Sequence, residues 1–147
     1  MIVLKLFVIL SKKNLALILA TVIIVLILIG QFFSKSELKI DGSTHFIRAT
    51  YLKSLGYIIE ETDISSKNII IPKDFSDVYS EYNEIQKQAG FDLTKYKGEE
   101  ATVYTYKLSS DKETEVHLII SEGFIIGGDI ASIRLDGEMK PLKPIKN

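Results

Sequence analysis

The sequence predicts an α+β fold: an N-terminal transmembrane helix followed by a small domain of two helices packed on an antiparallel β-meander. Three observations predict it. Leu15 to Phe33 is an uncharged run of nineteen residues. Apolar residues then recur at helical spacing in two stretches between residues 43 and 89. From Glu99 onward the period changes from 3.6 to 2. The 147 residues are 46% hydrophobic and 25% charged and include no cysteine, which excludes collagen-like, low-complexity and disulfide-stapled architectures.

The run LALILATVIIVLILIGQFF has only Thr21 and Gln31 as polar side chains. As a helix it reaches about 28 Å, close to the roughly 30 Å hydrocarbon core of a bilayer. Its many β-branched residues do not favour a strand there, because in lipid a lone segment satisfies its backbone only as a helix. Lys5, Lys12 and Lys13 precede the run without an acidic residue, and mixed charges follow it. The positive-inside rule therefore puts residues 1–14 in the cytoplasm and the C-terminal domain outside. A cleaved signal peptide competes with this reading, but no small-x-small site follows the apolar run. Met1 to Leu10 is apolar and too short to span; it is an extension of the same helix, an interfacial piece, or a misassigned start.

Residues 34–42 read as a polar linker, and residues 43–147 as one extracytoplasmic domain with its own core. All 19 acidic residues but only 15 of the 18 basic ones follow residue 34, leaving that part at −4. With no basic stripe to displace counterions, no nucleic-acid partner is expected.

Ser43 to Leu55 reads as a helix capped by Ser43, with Ile47, Tyr51, Leu52 and Leu55 on one face and Gly56 as its left-handed stop. Tyr57 to Ile59 reads as a short strand, Glu60 to Lys67 as a loop, and Asn68 to Ile71 as a second strand ended by Pro72. A second helix is predicted from an Asp74 N-cap, with Phe75, Val78, Tyr82, Ile85 and Ala89 facing the core and Gly90 stopping it. Phe91, Leu93 and Tyr96 then tuck a short turn against the same core.

Residues 99–108 alternate as a strand, Ser109 to Glu113 turn, and Glu115 to Ile120 alternate again. Glu122 and Gly123 form a tight hairpin turn. Phe124 to Leu135 holds a double glycine, either a bulge in one long strand or a turn between two; the apolar Ile130 and Ile133 beyond it favour the bulge.

The run IPKDFSDVYSEYNEIQKQAGFDLTKYKG, followed by VYTYK, IIGGDIAS and LDGEM, resembles the bacterial membrane-anchored family catalogued as domain of unknown function 4830. The resemblance covers about residues 45 to 140 and is carried by Tyr82, Asn83, Gln86, Gly90, Phe91, Asp92, Leu93, Tyr96, Gly98, Tyr104, Tyr106, Gly127, Gly128, Asp129, Asp136 and Gly137. Glu138 departs from it, standing where the family pattern has phenylalanine. The resemblance implies a bacterial envelope and brings no activity with it.

No catalytic set stands out. Zinc needs three or four suitable ligands, and the chain has only His45 and His117, in separate elements, so no metal site and no cofactor is expected. No nucleophile-elbow pattern is present. Asp92, Asp129 and Asp136 are the carboxylates that could converge for acid and base work, although each also suits a local task as cap, bulge neighbour or turn residue. The glycines of IIGGD lead back into a strand, unlike a phosphate loop.

Tyr79, Tyr82, Tyr96, Tyr104 and Tyr106 are expected to lie on elements that face one another, as the rim of a core or as an aromatic binding patch. With Gly127, Gly128 and Asp129 they are the candidate binding residues. The leading reading is a tethered accessory domain that engages a protein or a cell-wall component, with a sensor or inhibitor role as a variant of it. The alternative is a small envelope hydrolase or lyase that uses convergent carboxylates.

Overall fold

The computed structural model describes residues 18–25, 39–134 and 137–143, and only the backbone of residues 61–63. The chain divides into two compact units, residues 1–38 and 39–147. In the first, residues 18–25 are helical (α1), and Ile18, Leu19, Val22, Ile23, Ile24 and Val25 are each 48–55% exposed. Among the described residues no helix is long and apolar enough to cross a membrane. The rest of the predicted span, the segment before it and residues 34–38 of the linker lie outside the described residues.

The second unit is α+β, as the periodicities predict. Its elements run β1 (Ile40–Asp41), α2 (His45–Ser54), β2 (Ile59–Ile70), α3 (Asp77–Gln88), a 3-10 turn (Leu93–Tyr96), β3 (Glu100–Leu108), β4 (Thr114–Ser121), β5 (Phe124–Ser132) and β6 (Met139–Pro141). Strands β2 to β5 form an antiparallel meander, and both β1 and β6 add to the outer edge of β5, one at its start and one at its end. These two short strands arise in segments that carry no alternation of their own.

The hairpin turn is where the sequence places it: Glu122 and Gly123 both take left-handed φ, 50° and 83°, which suits the right-handed strand twist. The double glycine belongs to one strand with a bulge. Ile119 pairs with Gly127 while the next residue, Ile120, pairs with Ile125, leaving Ile126 as the extra residue. That strand ends at Ser132 rather than Leu135.

Other expectations change. The cap of α2 is Thr44, whose hydroxyl accepts from the Ile47 N–H, while the Ser43 N–H is held by Asp41. The cap of α3 is Ser76, two residues after Asp74. Glu60 to Lys67 is not a loop but the middle of a twelve-residue strand, irregular between Ile59 and Ile64 and in register with β3 from Ile64 onward. An edge strand has partners on one side only, so a polar run such as Ser65, Ser66 and Lys67 stays solvated while its backbone pairs.

Two cores lie on opposite faces of the sheet. Tyr106, Leu108, Val116, Leu118, Ile120 and Ile125 meet Leu52 and Leu55 of α2 on one face. Alternation turns Ala101, Ile119 and Ile126 to the other, where they meet Leu93, Ile71, Phe75, Tyr79 and Tyr82. α3 is rotated from the predicted face: Val78 is 76% exposed, whereas Asn83 and Gln86 are buried. The rotation exchanges one aliphatic contact for hydrogen bonds to backbone N–H groups that would otherwise be buried without partners.

Candidate functional site

α2 covers only part of its sheet face. The uncovered part opens as a groove of about 1230 Å³, lined among others by Ser43, Arg48, Asn68, Ile70, Thr102 and Tyr104, with Glu99, Glu100 and Glu122 exposed around it. Arg48 occupies the first turns of α2, and its spacing to Leu52 and Leu55 puts it in the apolar stripe of that helix. It is 5% exposed. Its Nε donates to the Tyr106 hydroxyl at 2.8 Å and its Nη1 to the Gly42 carbonyl at 2.7 Å. The guanidinium lies 3.6 Å from the centre of the Tyr104 ring.

No carboxylate pairs with Arg48 among the described residues. Burying a lone charge costs on the order of several kcal/mol, which two hydrogen bonds and a ring face only partly offset. Burial pushes the Tyr106 hydroxyl pKa up, with the guanidinium opposing. His45 stacks on Tyr106 at a centroid distance of 6.0 Å, and its Nδ1 is buried without a partner among the described residues.

The opposite face carries a second polar cluster. The Tyr82 hydroxyl donates to Asp129 Oδ2 at 2.7 Å, and His117 Nδ1 donates to Asp129 Oδ1 at 2.8 Å. Both carboxylate oxygens of this buried residue are thereby satisfied. The hydrogen bond to Asp129 raises the His117 pKa against the opposing effect of burial, and Glu115 at 3.7 Å adds to the rise. Burial, reinforced by the Asp129 charge, pushes the Tyr82 pKa up strongly, so its hydroxyl stays protonated as a donor.

Next to this cluster, Gln86 Oε1 accepts from the Gly128 N–H at 2.7 Å. A Cβ on Gly127 would stand 2.8 Å from that same oxygen, and one on Gly128 would stand 2.6 Å from the His117 carbonyl. The missing side chain at Gly127 lets α3 approach the strand, the one at Gly128 makes room for Leu142 and β4, and the Gly128 N–H is taken by Gln86. Asn83 Nδ2 donates to Asp92 Oδ1 at 3.1 Å, and Asn83 Oδ1 accepts from the Leu93 N–H at 2.8 Å. Asp92 caps the 3-10 turn, as its position before that turn predicts. Burial opposes, but hydrogen bonds from Thr94 and Asn83 hold its carboxyl below the usual range.

The five candidate tyrosines therefore do not share a surface. Tyr79, Tyr82 and Tyr96 belong to the core under α3, and Tyr104 and Tyr106 point to the other face, because even-numbered residues of β3 face α2. Tyr106 is fully buried, and only Tyr104 lines the groove. Gly127, Gly128 and Asp129 anchor α3. Asp92 and Asp129 make no hydrogen bond to each other, and neither lines the groove; Asp136 lies outside the described residues. Among the described residues no group of three or more His, Asp or Glu side chains is arranged to hold a metal.

Arg48 is the residue that pattern reading missed. Its signal was a charge standing at i−4 and i−7 from Leu52 and Leu55, inside an apolar stripe. Asn83 and Gln86 carried no functional expectation from spacing, yet they share their helix face with Tyr79 and Tyr82.

A family model described as Domain of unknown function (DUF4830) matches residues 51–130. No curated protein and no solved structure matches. The matched stretch contains the whole docking network of α3, from Tyr82, Asn83 and Gln86 to Asp92, Leu93, Gly128 and Asp129, and stops short of Arg48.

Proposed function

The chain belongs to the family described as Domain of unknown function (DUF4830), and from that premise we propose that it is a membrane-anchored, extracytoplasmic accessory domain that binds a protein or cell-envelope component of a bacterium. The observation that carries the binding reading is the open groove beside Arg48, large enough for an extended ligand and floored by a buried charge that no carboxylate among the described residues neutralises. Anchoring is supported by the uncharged run 15–33, by the exposed aliphatic surface of residues 18–25 and by the basic residues before them. Tethering raises the local concentration of the domain near membrane partners, so that a weak site suffices.

The test is crosslinking of the full-length protein in living cells, followed by purification and identification of co-purifying proteins and glycans. A control carries residues 1–42 alone. The full chain, recovered in the membrane fraction, is expected to capture a partner that the control does not. A folded protein that captures nothing, or one found only as a shortened released form, refutes the proposal.

A further inference from the structure

We infer that the groove is a docking site for an extended peptide segment that presents a carboxylate to Arg48 and a cationic side chain to the acidic rim. The inference rests on the binding reading above and names its ligand.

Arg48 supplies the anionic half of the recognition. Two of its nitrogens are occupied, Nε by Tyr106 and Nη1 by Gly42, and both fix the guanidinium plane. Nη2 donates to nothing among the described residues. The Tyr104 ring backs one face of the plane at 3.6 Å. A guanidinium held in this way keeps its remaining N–H groups pre-oriented for a carboxylate, and little rotamer freedom is lost when it binds. A buried cation without a counter-ion is unfavourable by itself and becomes favourable when an anion arrives, so the site rewards a carboxylate more than an exposed arginine would.

The cationic half comes from the rim. Glu99, Glu100 and Glu122 are exposed around the groove, while the buried charge on its floor is positive. A simple anion would meet repulsion at the entrance, whereas a segment carrying both signs matches floor and rim together. The size of the groove and its walls point to a peptide. At about 1230 Å³ it exceeds the roughly 300–1,000 Å³ of ordinary small-molecule pockets. One wall is the outer strand β2 at Asn68 to Ile70, which among the described strands pairs only with β3 and offers the 66% exposed Ile70 as an apolar contact.

The test uses the full chain in detergent micelles and labelled peptides of about eight residues, each with one glutamate and one lysine at varied spacing. A paired set has glutamine in place of glutamate, and acetate serves as a small competing anion. Binding is read by fluorescence polarisation. The glutamate peptides are expected to bind and their glutamine partners to bind at least about tenfold more weakly. Arg48→Lys, which keeps the charge and loses the fork, is expected to weaken the glutamate peptides by a similar factor of about ten. Glu100→Lys with Glu122→Lys, both at exposed positions, is expected to abolish the preference for lysine while leaving the melting temperature unchanged. Where Arg48→Lys does not fold, this double variant and the glutamine peptides carry the test.

Equal binding of glutamate and glutamine peptides, or no binding of any peptide, overturns the inference. Acetate binding as tightly as the peptides overturns the peptide assignment. The broader reading fails separately: if Thr102→Trp, which fills the groove, blocks peptides that show no carboxylate dependence, the groove binds ligands and only the assignment to Arg48 is wrong. If the crosslinked cells also yield no partner, the binding reading falls with it.

Discussion

Replacing Gly128 with alanine tests whether the double glycine builds the fold or a site. The backbone there has ordinary φ, so alanine is not strained by conformation. The obstacle is space. Its Cβ would stand 2.5 Å from Leu142 Cδ1, 2.6 Å from the His117 carbonyl oxygen and 3.1 Å from Leu118 Cδ2. Leu142 can swing away, but the His117 carbonyl belongs to β4, which pairs with β5 at this point through Leu118 and Gly128. Relief therefore requires the two strands to part in the middle of the sheet.

Overpacking of this kind costs about 1–3 kcal/mol, and contact with backbone puts this case in the upper half. Losing a glycine from the unfolded chain returns about 0.4–1 kcal/mol. The net expectation is a loss of about 2 kcal/mol, which lowers the melting temperature of a domain of this size by about 8 °C. Thermal and urea unfolding of the full chain in micelles reads it. An unchanged melting temperature refutes the steric argument. Unchanged stability with lost partner capture would do more, because it would make the segment a site.

Three further outcomes are expected. Gln86→Leu leaves the buried Gly128 N–H unpaired and should cost about 1–3 kcal/mol, with faster hydrogen exchange at the Gly128 amide; unchanged exchange would rule out the Gln86 contact. Val78→Ser, at an exposed position, should stay within about 0.5 kcal/mol of the parent, whereas Asn83→Ala should lose about 2 kcal/mol with its bonds to Asp92 and Leu93; the reverse order would return α3 to the face its apolar spacing predicts. The pKa of His117 is raised on folding, so its contribution to stability is fully present below its unfolded value of about 6.5 and is lost as pH rises through the higher folded value. Melting temperatures measured from pH 5 to 9 should show this decline in the parent protein and not in His117→Gln; parallel profiles would contradict the pairing with Asp129.

The carriers of the family resemblance can now be assigned a physical task. Tyr82 reaches Asp129 across 47 positions of sequence, Gln86 reaches Gly128 across 42, and Asn83 holds Asp92 and Leu93. Together they fasten α3 and the following turn to β5. Most of the motif strings are accordingly the signature of a helix docked by hydrogen bonds, while VYTYK turns Tyr104 and Tyr106 to the other side of the sheet, where the groove lies. Arg48 and Tyr104 were legible only as a charge in an apolar stripe and a tyrosine in a strand. That they stack, and that no carboxylate among the described residues meets the guanidinium, depends on elements 56 residues apart.

Local chemistry determined the elements. Left-handed glycines at 56 and 90 end the helices, Glu122 and Gly123 turn the hairpin, and the change of period at Glu99 marks the start of the meander. Each of these is decided within a few residues, by sterics at φ or by alternation, and so stands in the sequence. Tertiary structure decided everything that needs a distant partner. The polar run 60–67 becomes strand because β3 offers it a ladder, and α3 turns its amide side chains inward because β5 and the 3-10 turn present N–H groups there. The two helices take opposite faces of one sheet, which splits the tyrosines. Burial and hydrogen-bond satisfaction are properties of the assembled surfaces, and hydrophobic spacing along one helix cannot report what waits on the strand it meets.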